Sequence, residues 1–305
     1  MSIVELTDRL NSALDRQGYR SVTVSAAHAS ELRENINENL ASGRIGSELY
    51  RRYADYFDGM LTQDIPSWAR SIIVVAAPVP KLEVWFTVNG ERKSTIIPPT
   101  YEHSGTAGIT DAIESELKPF GYQIRRAELP VKLLAARSGL ARYGRNNIAY
   151  VEGMGSFLRL LAFYSDLPCA NDYWQQPQAL DECANCRACT NMCPSGAIDP
   201  DQFQLRADRC LTFHNESPQA FPSWIQESWH HCLIGCMKCQ DSCPLNKDLQ
   251  SWKERFAEFT EAETTALLSG VKSSELPASV ITKFSDTDLL EDPVGLARNL
   301  KSVLA

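Results

Sequence analysis

The sequence predicts an α+β protein: a mixed helix-and-strand domain over residues 1–168, a cysteine-dense module over residues 169–250, and a helical tail over residues 251–305. Three observations predict it. Helical and strand-like apolar spacings alternate along the chain up to Pro168. Nine of the ten cysteines then fall between Cys183 and Cys243. After Trp252 apolar residues return at helical intervals, interrupted by Pro277 and Pro293. The tail is expected to pack back on the first domain.

Each element follows from local pattern. Ile3, Leu6, Leu10 and Leu14 recur at helical spacing, and Gly18 stands just beyond as a stop. Val22 and Val24 alternate as in a short strand, and Glu31 to Leu40 is helical, with Leu32, Ile36 and Leu40 on one face. Ser71 to Ala77 is an apolar, β-branched run closed by Pro78, the signature of a strand buried on both faces. Asn89-Gly90 sits between Val84–Val88 and Ser94–Ile97, a hairpin signal. Thr106 to Leu117 and Val131 to Arg137 read as helices; Ile148–Val151 and Phe157–Phe163 read as strands joined by the turn Gly153 to Ser156. In the tail, Phe256 to Leu268 and Leu289 to Leu304 carry helical patterns.

Composition narrows the function classes. With 38 acidic against 30 basic residues the formal net charge is −8, so the average surface repels polyanions and nucleic acid is not an expected partner. The first twenty residues contain Glu5, Asp8 and Asp15 and no apolar block, unlike a signal or transit peptide. No apolar stretch reaches the length of a bilayer span. These features point to a cytoplasmic protein without membrane association, where ten cysteines serve as metal ligands rather than disulfides.

The cysteines fall into two runs. Cys183-x2-Cys186-x2-Cys189-x3-Cys193-Pro194 has the ferredoxin spacing that places three thiolates on one [4Fe–4S] cubane and sends the fourth to another. Cys236-x2-Cys239-x3-Cys243-Pro244 repeats its tail, so two such runs cross-ligate. The second run is one cysteine short, and either Cys210 or Cys232 could complete it. Zinc ribbons use two separated pairs, whereas here x2 and x3 steps follow one another and end twice in Pro, which favours iron–sulfur over zinc. Two cubanes form an electron relay, and the domain in front is expected to hold what the electrons reach. Cys169 and Cys232 are otherwise read as small buried hydrophobes.

Order and wording together resemble a known family. Leu134-Ala135-Ala136-Arg137-Ser138-Gly139-Leu140-Ala141, then Gly144-Arg145, then Gly155-Ser156-Phe157 precede the first cysteine run; Arg209-Cys210-Leu211 and Gly235-Cys236 follow it. This succession resembles the epoxyqueuosine reductase family, whose relatives include the respiratory reductive dehalogenases. The resemblance is closest from about Pro130 to Leu245 and extends in order of elements from Leu32 to Leu129. It implies a nitroreductase-like, cobalamin-handling front domain and a two-electron reduction at a corrinoid. It also implies that Cys210 is the missing ligand: one cluster on Cys183, Cys186, Cys189 and Cys243, the other on Cys193, Cys210, Cys236 and Cys239. An electron donor such as ferredoxin or flavodoxin would feed them.

Departures from the family pattern shape the remaining expectations. Where queuosine-acting members carry a proton-donating Asp ahead of the "LAAR" motif, this chain has Arg125, with Arg126 beside it. No counterpart of the family's tRNA-gripping helical-repeat extension follows Trp252. The sequence reading therefore expects an iron–sulfur oxidoreductase that reduces a small molecule, not tRNA epoxyqueuosine, with a non-catalytic electron-transfer protein as the alternative. Arg142, Arg145, Asn146 and Asn147, in a Gly-flanked loop, are expected at the corrin edge, with His103 as a further cofactor contact. Tyr101 or Tyr143 is the expected proton donor. The plainer reading of that loop is one that satisfies its own backbone and a surface salt bridge. His214, His230 and His231 flank the cysteines and are read as tuning or exposed groups, not ligands.

Overall fold

The computed structural model describes residues 1–101, 107–203 and 205–305. Among the described residues the strands are β1 Arg20–Ser25, β2 Ser71–Pro78, β3 Lys81–Val88, β4 Glu91–Ile97, β5 Ile124–Arg126, β6 Arg142–Tyr143, β7 Ala149–Tyr150, β8 Leu158–Ser165 and β9 Lys253–Phe259. The α+β class expected from sequence is observed. The chain divides into two compact units, Met1–Pro78 with Thr106–Ala184, and Val79–Gly105 with Asn185–Ala305.

In the first unit, four strands form a sheet in the order β1-β2-β8-β5, with every neighbouring pair antiparallel. The apolar run of β2 explains its centre. Ile72, Val74 and Ala76 face one core with Leu32 and Leu134, while Ile73, Val75 and Ala77 face another with Leu10, Ile109 and Ile113. A strand with apolar layers on both faces has no polar side, which is why its sequence does not alternate. Helix Ile3–Asp15 is opened by a reciprocal cap between Ser2 and Glu5, and helices His28–Ala41 and Val131–Arg137 also appear where the apolar spacing places them.

In the second unit, Asn89 and Gly90 both take positive φ (51° and 78°) and close the β3–β4 hairpin, as a two-residue turn requires. The sheet order is β4-β3-β9, with β9 parallel to β3. This differs from the expected domain layout in two ways. The hairpin, read as part of the front domain, groups with the cysteine module, and so does the tail. Leu267, Phe284, Leu296 and Leu300 of the tail form one core with Val84, Phe86, Ile97 and Leu233. Three-dimensional grouping follows burial of these faces, not proximity in sequence.

Two element assignments are corrected. Lys253–Phe259 is a strand; the helix starts only at Glu261, where Thr260 and Glu263 form a capping box. Tail residues Leu289–Glu291 form a short 3-10 turn, and the helix Pro293–Leu304 begins at Pro293 with Asp292 capping Gly295. Further, β7 pairs with β6 rather than with β8. Among the described residues no helix is long and apolar enough to cross a membrane.

Candidate iron–sulfur centre and its supporting loops

The cysteines of the second unit ride on short helical turns. Cys189 lies in helix Ala188–Met192, with Cys193 ending it, and Cys239 lies in helix Lys238–Asp241. Cys243 immediately precedes Pro244, which opens a 3-10 turn running to Leu249. Proline at a first helical position costs no hydrogen bond, so Pro244 can open the turn that follows Cys243, while the Cys193 and Cys243 amides close the turns before them on Thr190 and Gln240.

The thiols of Cys193, Cys210 and Cys236 act on one another. Burial first, and Cys193 behind it, pushes the Cys210 thiol up. Burial, then Cys210 and Cys193, pushes Cys236 up to about 12. Cys193, Cys210 and Cys236 thus come from three separate stretches of the chain, and a cationic centre would hold such thiols as thiolates. Hydrogen bonds are already aimed at the sulfurs: Thr212 and Phe213 amides at Cys210, and the Lys238 amide at Cys236. Cysteine thiolates are the ligands a [4Fe–4S] cluster takes; among the described residues no group of three or more His, Cys, Asp or Glu side chains is placed to hold a single metal ion.

Cys232 has a different setting. It is 1% exposed, pairs with Ile96 as an added bridge on β4, and burial pushes its thiol well above the ordinary range. Its neighbours include Cys236 and the Met237 amide. Cys169 is half-buried, with its thiol on the Thr23 carbonyl at 3.6 Å.

The 142–147 loop of the first unit holds the chain entering the first cysteine run. The Tyr143 amide donates to the Gln178 carbonyl (2.9 Å), and the Leu180 amide donates back to Tyr143 (2.9 Å). Arg142 pairs with Asp181 at 3.1 Å, and buried Arg145 donates from Nη2 to the Cys183 carbonyl at 2.9 Å. Asn146 is buried, donating to the Tyr150 hydroxyl (3.0 Å) and accepting from the Ile148 amide (3.3 Å). Asn147 is exposed at φ 59° and closes the turn through the Gly144 carbonyl. These contacts follow the plainer of the two readings of the loop. Tyr143 is half-buried, and burial raises its phenol to about 12.

Tyr101 belongs to the second unit. Its hydroxyl donates to Glu216 and packs on Gly235, where a Cβ would lie 2.8 Å from that oxygen. Gly235 has φ 65°, and its carbonyl accepts from the buried Asn215 amide at 2.7 Å. Asn299 in turn donates to the Asn215 carbonyl at 2.8 Å. His103 lies outside the described residues. Arg125, standing where the family's acid was expected, donates to the Asp64 carbonyl and lies 5.9 Å from the Tyr164 ring centroid.

Sequence reasoning missed several supports of the second run. Lys81, 7% exposed, reaches Asp241 at 2.9 Å and the Gln250 carbonyl at 2.7 Å. Asn246 donates to the Gln240 carbonyl at 2.8 Å. The available signal was indirect: polar residues flanking irregular cysteine loops are the ones free to satisfy that backbone.

Residues 182–246 match the 4Fe-4S double cluster binding domain. Over 149 residues the chain is 32% identical to epoxyqueuosine reductase of Xanthomonas campestris pv. campestris, covering 48% of this chain and 41% of that relative. Over that stretch this chain is similar to the epoxyqueuosine reductases. The aligned stretch thus spans about two fifths of the curated relative's length. The fold extends further: a crystal structure of selenomethionine-labelled epoxyqueuosine reductase superposes with TM-score 0.70 at 19% identity, covering 99% of this chain and 82% of that one. A crystal structure of epoxyqueuosine reductase with an epoxyqueuosine-modified tRNA-Tyr stem loop gives TM-score 0.67 at 18% identity, over 99% and 82%.

These findings overturn the exclusion of tRNA epoxyqueuosine as substrate and of nucleic acid as partner. Relatives are named for that reduction, and one structure of this fold carries a tRNA stem loop. The physical error is identifiable. A net charge of −8 averages the whole surface and says nothing of a local binding face. The replacement of the family's acid by Arg125 is an argument about proton supply and not about RNA binding, and where a sequence ends is no evidence of what grips RNA.

Proposed function

We propose that this chain is an iron–sulfur reductase that passes electrons singly through two [4Fe–4S] clusters, and that its substrate class is epoxyqueuosine in tRNA. The observation that supports it most is the double cluster domain at 182–246 in a chain that shares its fold with epoxyqueuosine reductase over 99% of its length. Removing an epoxide oxygen to leave an alkene consumes two electrons and two protons and releases water, so a two-centre relay matches the demand. The ligand sets are Cys183, Cys186, Cys189 and Cys243 for one cluster and Cys193, Cys210, Cys236 and Cys239 for the other.

A corrinoid, when bound, would supply the centre where two electrons meet the substrate. The side chains first assigned to its edge, Arg142, Arg145 and Asn146, are engaged with Asp181, Cys183 and Tyr150. They do not fit a corrin edge, and their role is to hold the lead-in to Cys183. Tyr101 and Tyr143 remain the proton-donor candidates. Burial raises the Tyr143 phenol to about 12, so it holds its proton more tightly than an ordinary tyrosine. A reducing, cytoplasmic setting suits ten free thiols, with ferredoxin or flavodoxin as donor.

The test is direct. Anaerobic, iron-loaded protein is given a chemical reductant, cobalamin and an epoxyqueuosine-modified anticodon stem loop, and the nucleoside is read by mass spectrometry. Loss of one oxygen supports the reading. No conversion, with both clusters full, contradicts it.

A further inference from the structure

The second cysteine run contains a histidine with both nitrogens spoken for. His231 Nδ1 lies 3.1 Å from the Trp229 carbonyl, and the Met237 amide points at Nε2 from 3.2 Å. A carbonyl can only accept and an amide N–H can only donate, so the partners fix the tautomer. The proton sits on Nδ1 and Nε2 presents its lone pair. His231 is further held by its own carbonyl, which accepts from the Thr95 hydroxyl at 3.1 Å.

Met237 lies between Cys236 and Cys239, in the loop that wraps the cluster. Of the two amides between those cysteines, Lys238 N–H is aimed at the Cys236 sulfur. The Met237 N–H is aimed the other way, at His231 Nε2 and toward the buried Cys232 thiol. Met237 itself is fully buried, so water is no alternative partner. Hydrogen bonds to the sulfurs stabilise the more negative, reduced cluster and raise its potential. An amide turned away withholds that stabilisation.

We propose that His231, seconded by Cys232, is a positioning residue that draws the Met237 amide away from the cluster on the second cysteine run and so keeps that cluster strongly reducing. The inference rests on the two-cluster reading above. It gives the spare cysteine a part without making it a ligand, and it makes the two clusters unequal, one of them tuned by a neutral ring. Removing the acceptor acts in one direction. Whether the amide then turns to the sulfur or stays in place, its positive end is no longer offset by the Nε2 lone pair.

The experiment is a potentiometric titration followed by electron paramagnetic resonance on full-length, anaerobically iron-loaded protein. His231→Leu should move one of the two midpoint potentials upward and leave the other in place. His231→Leu combined with Cys232→Ala should move it further. His231→Gln, whose side-chain carbonyl accepts, should return it toward the parent value. Unchanged potentials in the double variant with full iron would overturn the proposal, as would equal shifts of both clusters. If His231→Leu fails to take up iron, His231→Met, with its weak thioether acceptor, asks the same question. Iron loss from all variants, Gln included, would make the role structural and likewise overturn it. A parent protein without iron would instead refute the two-cluster reading, which separates the two failures.

Discussion

The two compact units close their interiors by different means. In the first, β2 lies between apolar layers, with Ile72 to Ala77 no more than 1% exposed. In the second, side chains reach into irregular backbone: Asn299 to Asn215, Asn215 to Gly235, Asn246 to Gln240, and Lys81 to Gln250. A sheet satisfies its own amides and carbonyls, whereas a loop that wraps a cluster has few backbone partners and must borrow them. Order in the second unit therefore depends on particular polar groups, and order in the first on apolar volume.

The largest expected effect falls on the thiols. Cys210→Ser should lower iron from about eight to about four per chain, while Cys232→Ser should keep all of it. The reverse outcome would break the comparison, because it would make the buried bridge residue the ligand.

Acid should next separate the units. Burial disfavours charge on Glu263, but Lys283 and Ser279, both at 2.6 Å, with the Thr260 amide, hold its carboxyl down at about 2. A folded value below the unfolded one stabilises above the unfolded pKa. That contribution, of order 3 kcal/mol, is complete above about pH 5 and is lost as pH falls toward 2. Glu263→Gln should thus destabilise at pH 7 and cease to matter near pH 2, as read by urea unfolding of the tail's tryptophan and core signals. An equal effect at both pH values would contradict the assignment.

Asn299→Ala, at a site 1% exposed, should cost about 2 kcal/mol through the lost bond to Asn215, in contrast with about 1 kcal/mol for Ile73→Val in the apolar sheet. Denaturant midpoints decide between them; a larger loss from Ile73→Val would erase the distinction. At the small end, Arg142→Ala should change stability by less than about 0.5 kcal/mol, because its partner Asp181 is 94% exposed. A loss of more than about 1 kcal/mol, read by the same denaturant midpoints, would show that this pair is more than a surface contact.

What could be read from sequence follows the same division. The apolar run of β2, the Asn89-Gly90 turn and the cysteine spacing are local signals, each dictated by residues within a few positions. The strand at Lys253–Phe259 was read as helix because Phe256, Phe259 and Leu267 also suit a helical face. Its parallel pairing with β3 involves residues far apart in sequence, and no local pattern encodes that. In the structure the helix starts only after Thr260, where Thr260 and Glu263 form the capping box. The 142–147 loop misled for a chemical reason: Arg and Asn suit a ligand and a neighbouring carbonyl equally well, and only the fold shows which carbonyl is near. The tRNA exclusion failed because global charge was made to answer a local question.

The claim on which the rest depends is that this chain carries two [4Fe–4S] clusters. Iron, acid-labile sulfide and zinc measured together on protein purified without oxygen test it most directly. The account predicts about eight iron and eight sulfide per chain with negligible zinc; about four iron, or zinc in stoichiometric amount, would contradict it.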